Sequence, residues 1–414
     1  MCNKRLGIYL VLFSPLYFTT VFSMNLVVFY DTFLRPVTWQ DSRFCFALKG
    51  QTGFSTQSFD ECGFVSNVLR IWNKDQNAIK MLDGFRQETP IGQLRSAIDA
   101  NDDGIRGHFL VCGDLDVKVA SEFSFWYYFL NDFSISFHLP FYVMELKNVT
   151  WQEQTQSLNA DDFRVKEYLT NDFTNNVRNL GCLDVCGWNR KGVGDLLLLF
   201  EWMRNFKQSK KFLKNVRLSG RLGLTLPTGK RVDEDKIFAF SFGNDGATGA
   251  LVGGGIDLTF GSYMKAGLDV QILHAFGNTK CRRIKTDCDQ TELLLLQKVD
   301  AFKEHGLRQR FNLYLEAFNL RGASLKAGYQ FIRHADDFLY IRSNEFSNAI
   351  ANSAESLQEW TMHSFIFNVS YDFFNKEVGE RRVHPYVSLF AKIPFNGMRV
   401  AMERTVGAML SIDF

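Results

Sequence analysis

Beyond its first two dozen residues the chain has no apolar stretch long and uncharged enough to cross a bilayer as a helix, which takes about 20 residues. It also lacks a dominant charge, with 47 Lys and Arg against 45 Asp and Glu, so nucleic acid is not expected as a partner. It has only 7 histidines, and none lies near the Cys-x3-Cys pair Cys182 and Cys186, which argues against a Cys/His metal set. A phosphate loop is missing too. Its nearest echo, Leu226-Pro227-Thr228-Gly229-Lys230, has neither the earlier glycine nor a following helix and reads as a strand end and turn. The acidic stretch Asp99–Asp103 lacks the distal glutamate of a calcium loop and also reads as a turn. No cofactor and no bound metal are expected. A mean hydropathy of −0.12 would pass for that of a water-soluble protein.

What is present resists that last reading. Aromatic residues make up 15% of the chain, and 41 residues are Phe. Apolar residues alternate with polar ones over many short segments. In 109–129, Phe109, Val111, Gly113, Leu115, Val117, Val119, Ser121, Phe123, Phe125, Tyr127 and Phe129 share one expected face. After Asn131-Asp132, Phe133, Ile135, Phe137, Leu139, Phe141 and Val143 continue the pattern, so a hairpin is expected. The period returns at 215–226, 250–260, 263–273, 310–318, 323–332, 364–373 and 383–393, and more weakly at 42–50 and 195–206. A transmembrane barrel produces this signature, because every second residue faces lipid and the others face the lumen, so averaged hydropathy stays near zero. The fold class is therefore all-β: a closed antiparallel transmembrane β-barrel of about 12 strands, between about 10 and 14, with long external loops.

A secreted two-sheet protein would alternate as well, with its apolar residues pointing into a core. Connection lengths separate the two. Short turns are expected at 130–132, 207–210, 260–262, 320–322 and 375–381. Long connections are expected at 52–105, 148–193, 227–245, 277–303 and 339–356. The two kinds take turns along the chain, as periplasmic turns and external loops of a barrel do. Only the last external turn, near Asn396-Gly397, is short.

The ends fit an envelope protein. Lys4 and Arg5 precede an uncharged apolar core, and Val21 and Ser23 place small residues before an expected cleavage site, so 1–23 reads as a signal peptide. An N-terminal segment, 24–41, then leads to the barrel, 42–414. Within the barrel, 52–105 carries brief helical periodicity and is either an external cap or an inserted plug. The chain ends as a strand on an aromatic residue. Thr405, Gly407, Leu410, Ile412 and Phe414 match the C-terminal assembly signal, so the chain resembles the outer-membrane β-barrel proteins of Gram-negative bacteria. That resemblance implies an outer-membrane location, lipid contact and delivery by the barrel-assembly machinery. It implies no particular transport family.

The mixed faces supply the candidate lumen lining: Lys118, Glu122, Arg217, Arg221, Lys265, Asp269, Arg310, Glu316 and Lys326, with Asp114, Asp257, Asp372, Lys392 and Glu403 beside them. Such a lining suits either a wet pore or an ion-paired, closed one. Consecutive glycines Gly253, Gly254 and Gly255 suggest a kink, a bulge or a close approach. Seven cysteines follow the signal, and an oxidising envelope favours bridges within each loop, Cys182 with Cys186 and Cys281 with Cys288. His334-Ala335-Asp336-Asp337 has the residue types of an outer-membrane protease site, but no matching acidic pair is evident, and a solvated loop start is expected. His363 and Ser364 are adjacent, hence on opposite faces. The expected function is non-enzymatic, porin-like passage of small solutes, with a surface protein acting through its external loops as the alternative.

Overall fold

A computed structural model describes residues 30–36, 42–101, 104–130, 132–320, 322–373 and 383–414. The expected signal peptide and the expected turn at 375–381 lie outside the described residues. Twelve strands form the barrel. They are β1 (Phe44–Ser55), β2 (His108–Leu130), β3 (Phe133–Glu153), β4 (Leu196–Lys207), β5 (Leu213–Leu226) and β6 (Gly249–Phe260), followed by β7 (Met264–Ala275), β8 (Arg308–Leu320), β9 (Ala323–His334), β10 (Trp360–Asp372), β11 (His384–Met398) and β12 (Arg404–Asp413). Each pairs antiparallel with its neighbours in chain order, and β12 pairs with β1 from Cys45 opposite Asp413 to Phe54 opposite Arg404. The ring is thereby closed and has no unpaired edge to template aggregation. The Phe414 backbone takes part in the closure, since its N–H donates to the Phe44 carbonyl at 2.9 Å.

The alternation sorts as expected along most strands. Leu48, Ile135, Phe200, Leu222, Val252, Leu313, Leu325, Phe367, Leu389 and Leu410 stand exposed on the outside, where lipid covers them in a membrane. Ser136, Arg221, Asp269, Asn312, Gln330, Ser364 and Ser388 are buried on the inside. His363 and Ser364 do fall on opposite faces. Ser364 is buried within, whereas the His363 ring packs outside beside Phe331 and Phe395.

One strand departs from its pattern. The pairing of β2 with β3 slips between Val117 and Val119, a bulge centred on Lys118. A bulge inserts one extra residue, so the faces exchange across it. Phe109, Val111, Leu115 and Val117 therefore point inward and are buried, while Val119, Phe123, Tyr127 and Phe129 point out. The single continuous face expected over 109–129 is in fact two half-faces.

Long connections gather at one end, as their lengths predict, and form a cap. The expected 52–105 segment begins inside β1, which runs to Ser55, and the rest of it belongs to this cap, with its helix α1 (Pro90–Ile98) started by Thr89, whose hydroxyl accepts the Gly92 N–H at 3.1 Å. Helices α2 (Ala160–Val165) and α3 (Phe173–Gly181) join it. Val68, Leu69, Ile79, Met81, Val177, Phe238 and Leu295 share one apolar core over the upper inward halves of β2 and β3.

Candidate functional site

The lumen is occupied at mid-height by a separate piece of chain. Residues 30–36 (Tyr-Asp-Thr-Phe-Leu-Arg-Pro) cross it, with one turn of 3-10 helix over Thr32–Leu34 capped by the Asp31 carboxylate, which accepts the Phe33 N–H at 3.1 Å. The obstruction is thus the N-terminal segment, not the 52–105 insertion.

The segment sits on polar anchors from many strands. Arg35 donates to Glu201 of β4 at 2.9 Å. Thr32 donates to Asp269 of β7 at 2.7 Å and accepts from Asn312 of β8 at 3.2 Å. Arg310 donates to the Tyr30 carbonyl at 2.6 Å and Lys326 of β9 to the Phe33 carbonyl at 2.8 Å. Gln330 donates to both Asp31 and Asn312, each at 2.9 Å. The Lys326 ammonium also lies 4.4 Å from the centre of the Phe33 ring and 3.9 Å from that of Tyr314, within the range of cation–π attraction. The fit depends on a missing side chain, for a Cβ on inward-facing Gly328 would come within 2.4 Å of the Phe33 ring.

The expected lumen residues divide clearly. Arg221 and Asp269 form a two-pronged pair at 3.0 and 2.5 Å, with Glu201 3.8 Å away. Glu122 accepts from Lys49 at 2.6 Å and from Ser124 at 2.9 Å. Lys265 donates to Glu316 at 2.9 Å, and Arg217 lies 3.8 Å from Asp257. Arg310 and Lys326 hold the plug. Two expectations fail. The bulge turns Lys118 outward, where it pairs with Glu145 of β3 at 2.6 Å. Asp114 likewise faces out and accepts from Asn148 at 2.7 Å. The glycine run reads as a close approach. A Cβ on Gly255 would lie 2.9 Å from Asp269, and one on Gly253 would lie 3.2 Å from the Arg221 side chain.

Below the plug, at the end carrying the short turns, a vestibule of about 510 Å³ is lined by Arg35, Arg217, Asp257, Lys265, Glu316 and Lys326 among others. Both signs of charge line it, with basic side chains in excess of acidic ones.

Two further expectations are corrected above the barrel. Asp337 and Asp336 are not at a solvated loop start: they are buried, with Asp337 fully enclosed. Asp337 accepts from the Gly306 N–H at 2.9 Å, and Lys303 lies 2.6 Å away. Lys303 and the neighbouring histidines hold the Asp337 carboxyl well below the usual carboxylate range, while burial lowers His305 to about 3. The cysteines Cys182, Cys186, Cys281 and Cys288 are exposed free thiols, and neither expected bridge is formed. Among the described residues, no group of three or more His, Cys, Asp or Glu is placed to hold a metal.

Sequence reasoning placed Asn312 and Gln330 on the polar strand faces but missed the N-terminal plug, Lys49 and Glu201. Only a charge-bearing N-terminal stretch, Asp31 to Arg35, hinted at it. No family model matches the chain and no curated protein matches it. Solved structures do. An outer membrane channel from Pseudomonas putida F1 superposes with a TM-score of 0.50 at 11% identity, over 94% of this chain and 100% of that one. A FadL homologue from Pseudomonas aeruginosa (TM-score 0.29, 7% identity, 90% of each chain) and the P. putida toluene transporter TodX (0.31, 9%, 92% and 91%) are more distant. With its closed ring of twelve strands, the chain has the fold of the Gram-negative outer-membrane β-barrels.

Proposed function

We propose that the chain is a porin-like outer-membrane channel for small solutes, held closed by its own residues 30–36. The observation that carries this reading is the nature of the obstruction. At mid-height the lumen is crossed by one short segment held on polar anchors from the wall. Removing such a segment would join the vestibule to the chamber beneath the cap. The aromatic and aliphatic outer face meets lipid, and the C-terminal strand, with Thr405, Gly407, Leu410, Ile412 and Phe414, is the element read by the barrel-assembly machinery. No catalytic step is assigned to the chain.

The test is electrical. Purified protein in planar bilayers should conduct rarely, and a variant lacking residues 30–36 should conduct in discrete, long-lived steps. A deletion variant that inserts as a folded barrel and stays silent would favour the surface reading, in which the external loops act on other molecules.

A further inference from the structure

On the rim that carries the short turns, positive charge gathers at the connection between β4 and β5. It reads Lys207-Gln208-Ser209-Lys210-Lys211-Phe212-Leu213-Lys214, and no carboxylate occurs in the chain between Glu201 and Asp233. Lys207, Lys210, Lys211 and Lys214 are all exposed. Among the described residues, none of these four ammonium groups has a carboxylate within 4 Å. Asp132, in the turn between β2 and β3, is engaged instead by Arg204, 3.7 Å away. The next turn along the rim, Gly261-Ser262-Tyr263, is uncharged.

Exposed lysines at a turn that meets only water need no partner. Two features set this turn apart. Its tip carries Phe212, whose ring is 76% exposed, and Tyr263 of the next turn is 57% exposed. Aromatic rings in such numbers are unfavourable in water and are at home at the boundary between lipid and water. The second feature is position. Phe206, Phe260 and Met264 are the last exposed apolar residues of the outer wall here, and Arg204 shares the outer face of β4 with Phe206, its guanidinium 5.7 Å from that ring. The lysines follow directly, at the level where lipid headgroups lie. Lysine stems can rest on apolar surface while the ammonium groups reach out to phosphates.

The turn is also held in place. The Gln208 N–H donates to the Lys214 carbonyl at 2.8 Å, and the Gly261 N–H donates to the Phe212 carbonyl at 2.9 Å, which fastens this turn to its neighbour. The basic groups are thus presented on one fixed sector of the barrel. Short turns lie on the periplasmic side of an outer-membrane barrel, where the leaflet is made of phospholipids, some of them anionic. Clusters of basic residues beside a membrane-spanning element are drawn to anionic lipid.

We propose that the β4–β5 turn binds an anionic phospholipid of the periplasmic leaflet, with Lys210, Lys211 and Lys214 on its headgroup and Phe212 beside its acyl chains. The site needs the barrel in its membrane but does not need the lumen to conduct.

Native mass spectrometry of the purified full chain tests it, with palmitoyl-oleoyl phosphatidylglycerol and the phosphatidylcholine of the same acyl chains added at equal concentration. Both lipids carry a phosphate, and only the first is net negative. Phosphatidylglycerol should be retained at least about tenfold more than phosphatidylcholine. Changing Lys210, Lys211 and Lys214 together to Gln should remove most of that preference, and changing them together to Arg should keep it, with heat-modifiable gel mobility showing that each variant is a folded barrel. Equal retention of the two lipids by the unaltered protein would overturn the proposal whether or not the variants fold. A folded triple Gln variant that still prefers phosphatidylglycerol would overturn it too. Excess inorganic phosphate should leave the lipid in place; displacement would mean a bare phosphate site. Retention of polyglutamate in place of phosphatidylglycerol would assign the turn to an acidic periplasmic partner and refute the lipid.

Discussion

Arg221 shows at the residue scale why the lumen charges are arranged as they are. Its guanidinium meets Asp269 through two parallel bonds, with Glu201 close by, and Glu201 in turn takes Arg35 of the plug. Breaking a buried pair by removing one partner typically costs about 3–5 kcal/mol, because a charge is left uncompensated. Arg221→Met should therefore lower the thermal midpoint of the purified barrel by several degrees, and Arg221→Met with Asp269→Leu should recover much of the loss; equal midpoints for the single and double variants would argue against the pairing. Asp336 makes the opposite case. Neither of its buried carboxyl oxygens has a hydrogen-bond partner among the described residues, and burial raises its carboxyl to about 7. The folded state then holds a proton that the unfolded state releases near pH 4, so stability from this group is full below about pH 4 and is lost as pH rises towards 7. Asp336→Asn should stabilise the protein relative to the parent increasingly from pH 4 to 7 and evenly above that. A pH-independent difference in thermal midpoint would contradict this.

At the scale of elements, the strand faces were legible in the sequence because their signal is local: a period of two needs no knowledge of neighbours. Leu389 and Phe390 illustrate it, one exposed on the outside and the other buried beside Leu34. The bulge at Lys118 was not legible, since Val117 and Val119 are both apolar and fit either face. The plug was not legible either. Residues 30–36 have no period, and their partners Glu201, Asp269, Arg310, Lys326 and Gln330 come from four strands far away in sequence. The burial of Asp336 and Asp337 depends on loops that pack only in three dimensions. Two predictions belong here. Leu389→Arg, on the lipid face, should reduce barrel stability by about 2–4 kcal/mol near the bilayer midplane and less towards its edges; denaturant titration in lipid vesicles measures this, and an unchanged midpoint would place Leu389 away from lipid. Phe414→Ala should lower the amount of folded protein recovered from outer membranes, and unchanged recovery would remove this ring from the assembly signal.

For the whole molecule, three layers follow one another along the barrel axis: a wet vestibule, a belt of ion pairs gripping the N-terminal segment, and an apolar chamber under a packed cap. The barrel class and the sorting of loops to one end could be read from alternation and connection lengths. The closed state could not, because it is a property of the tertiary fit between a short stretch of chain and a lumen wall. Residues 30–36 are the proposed gate of the lumen, and single-channel recording in planar bilayers tests that reading. Rare openings are expected for the intact protein, and discrete, sustained conductance once residues 30–36 are removed. A folded, membrane-inserted deletion variant with no more conductance than the intact chain would contradict it.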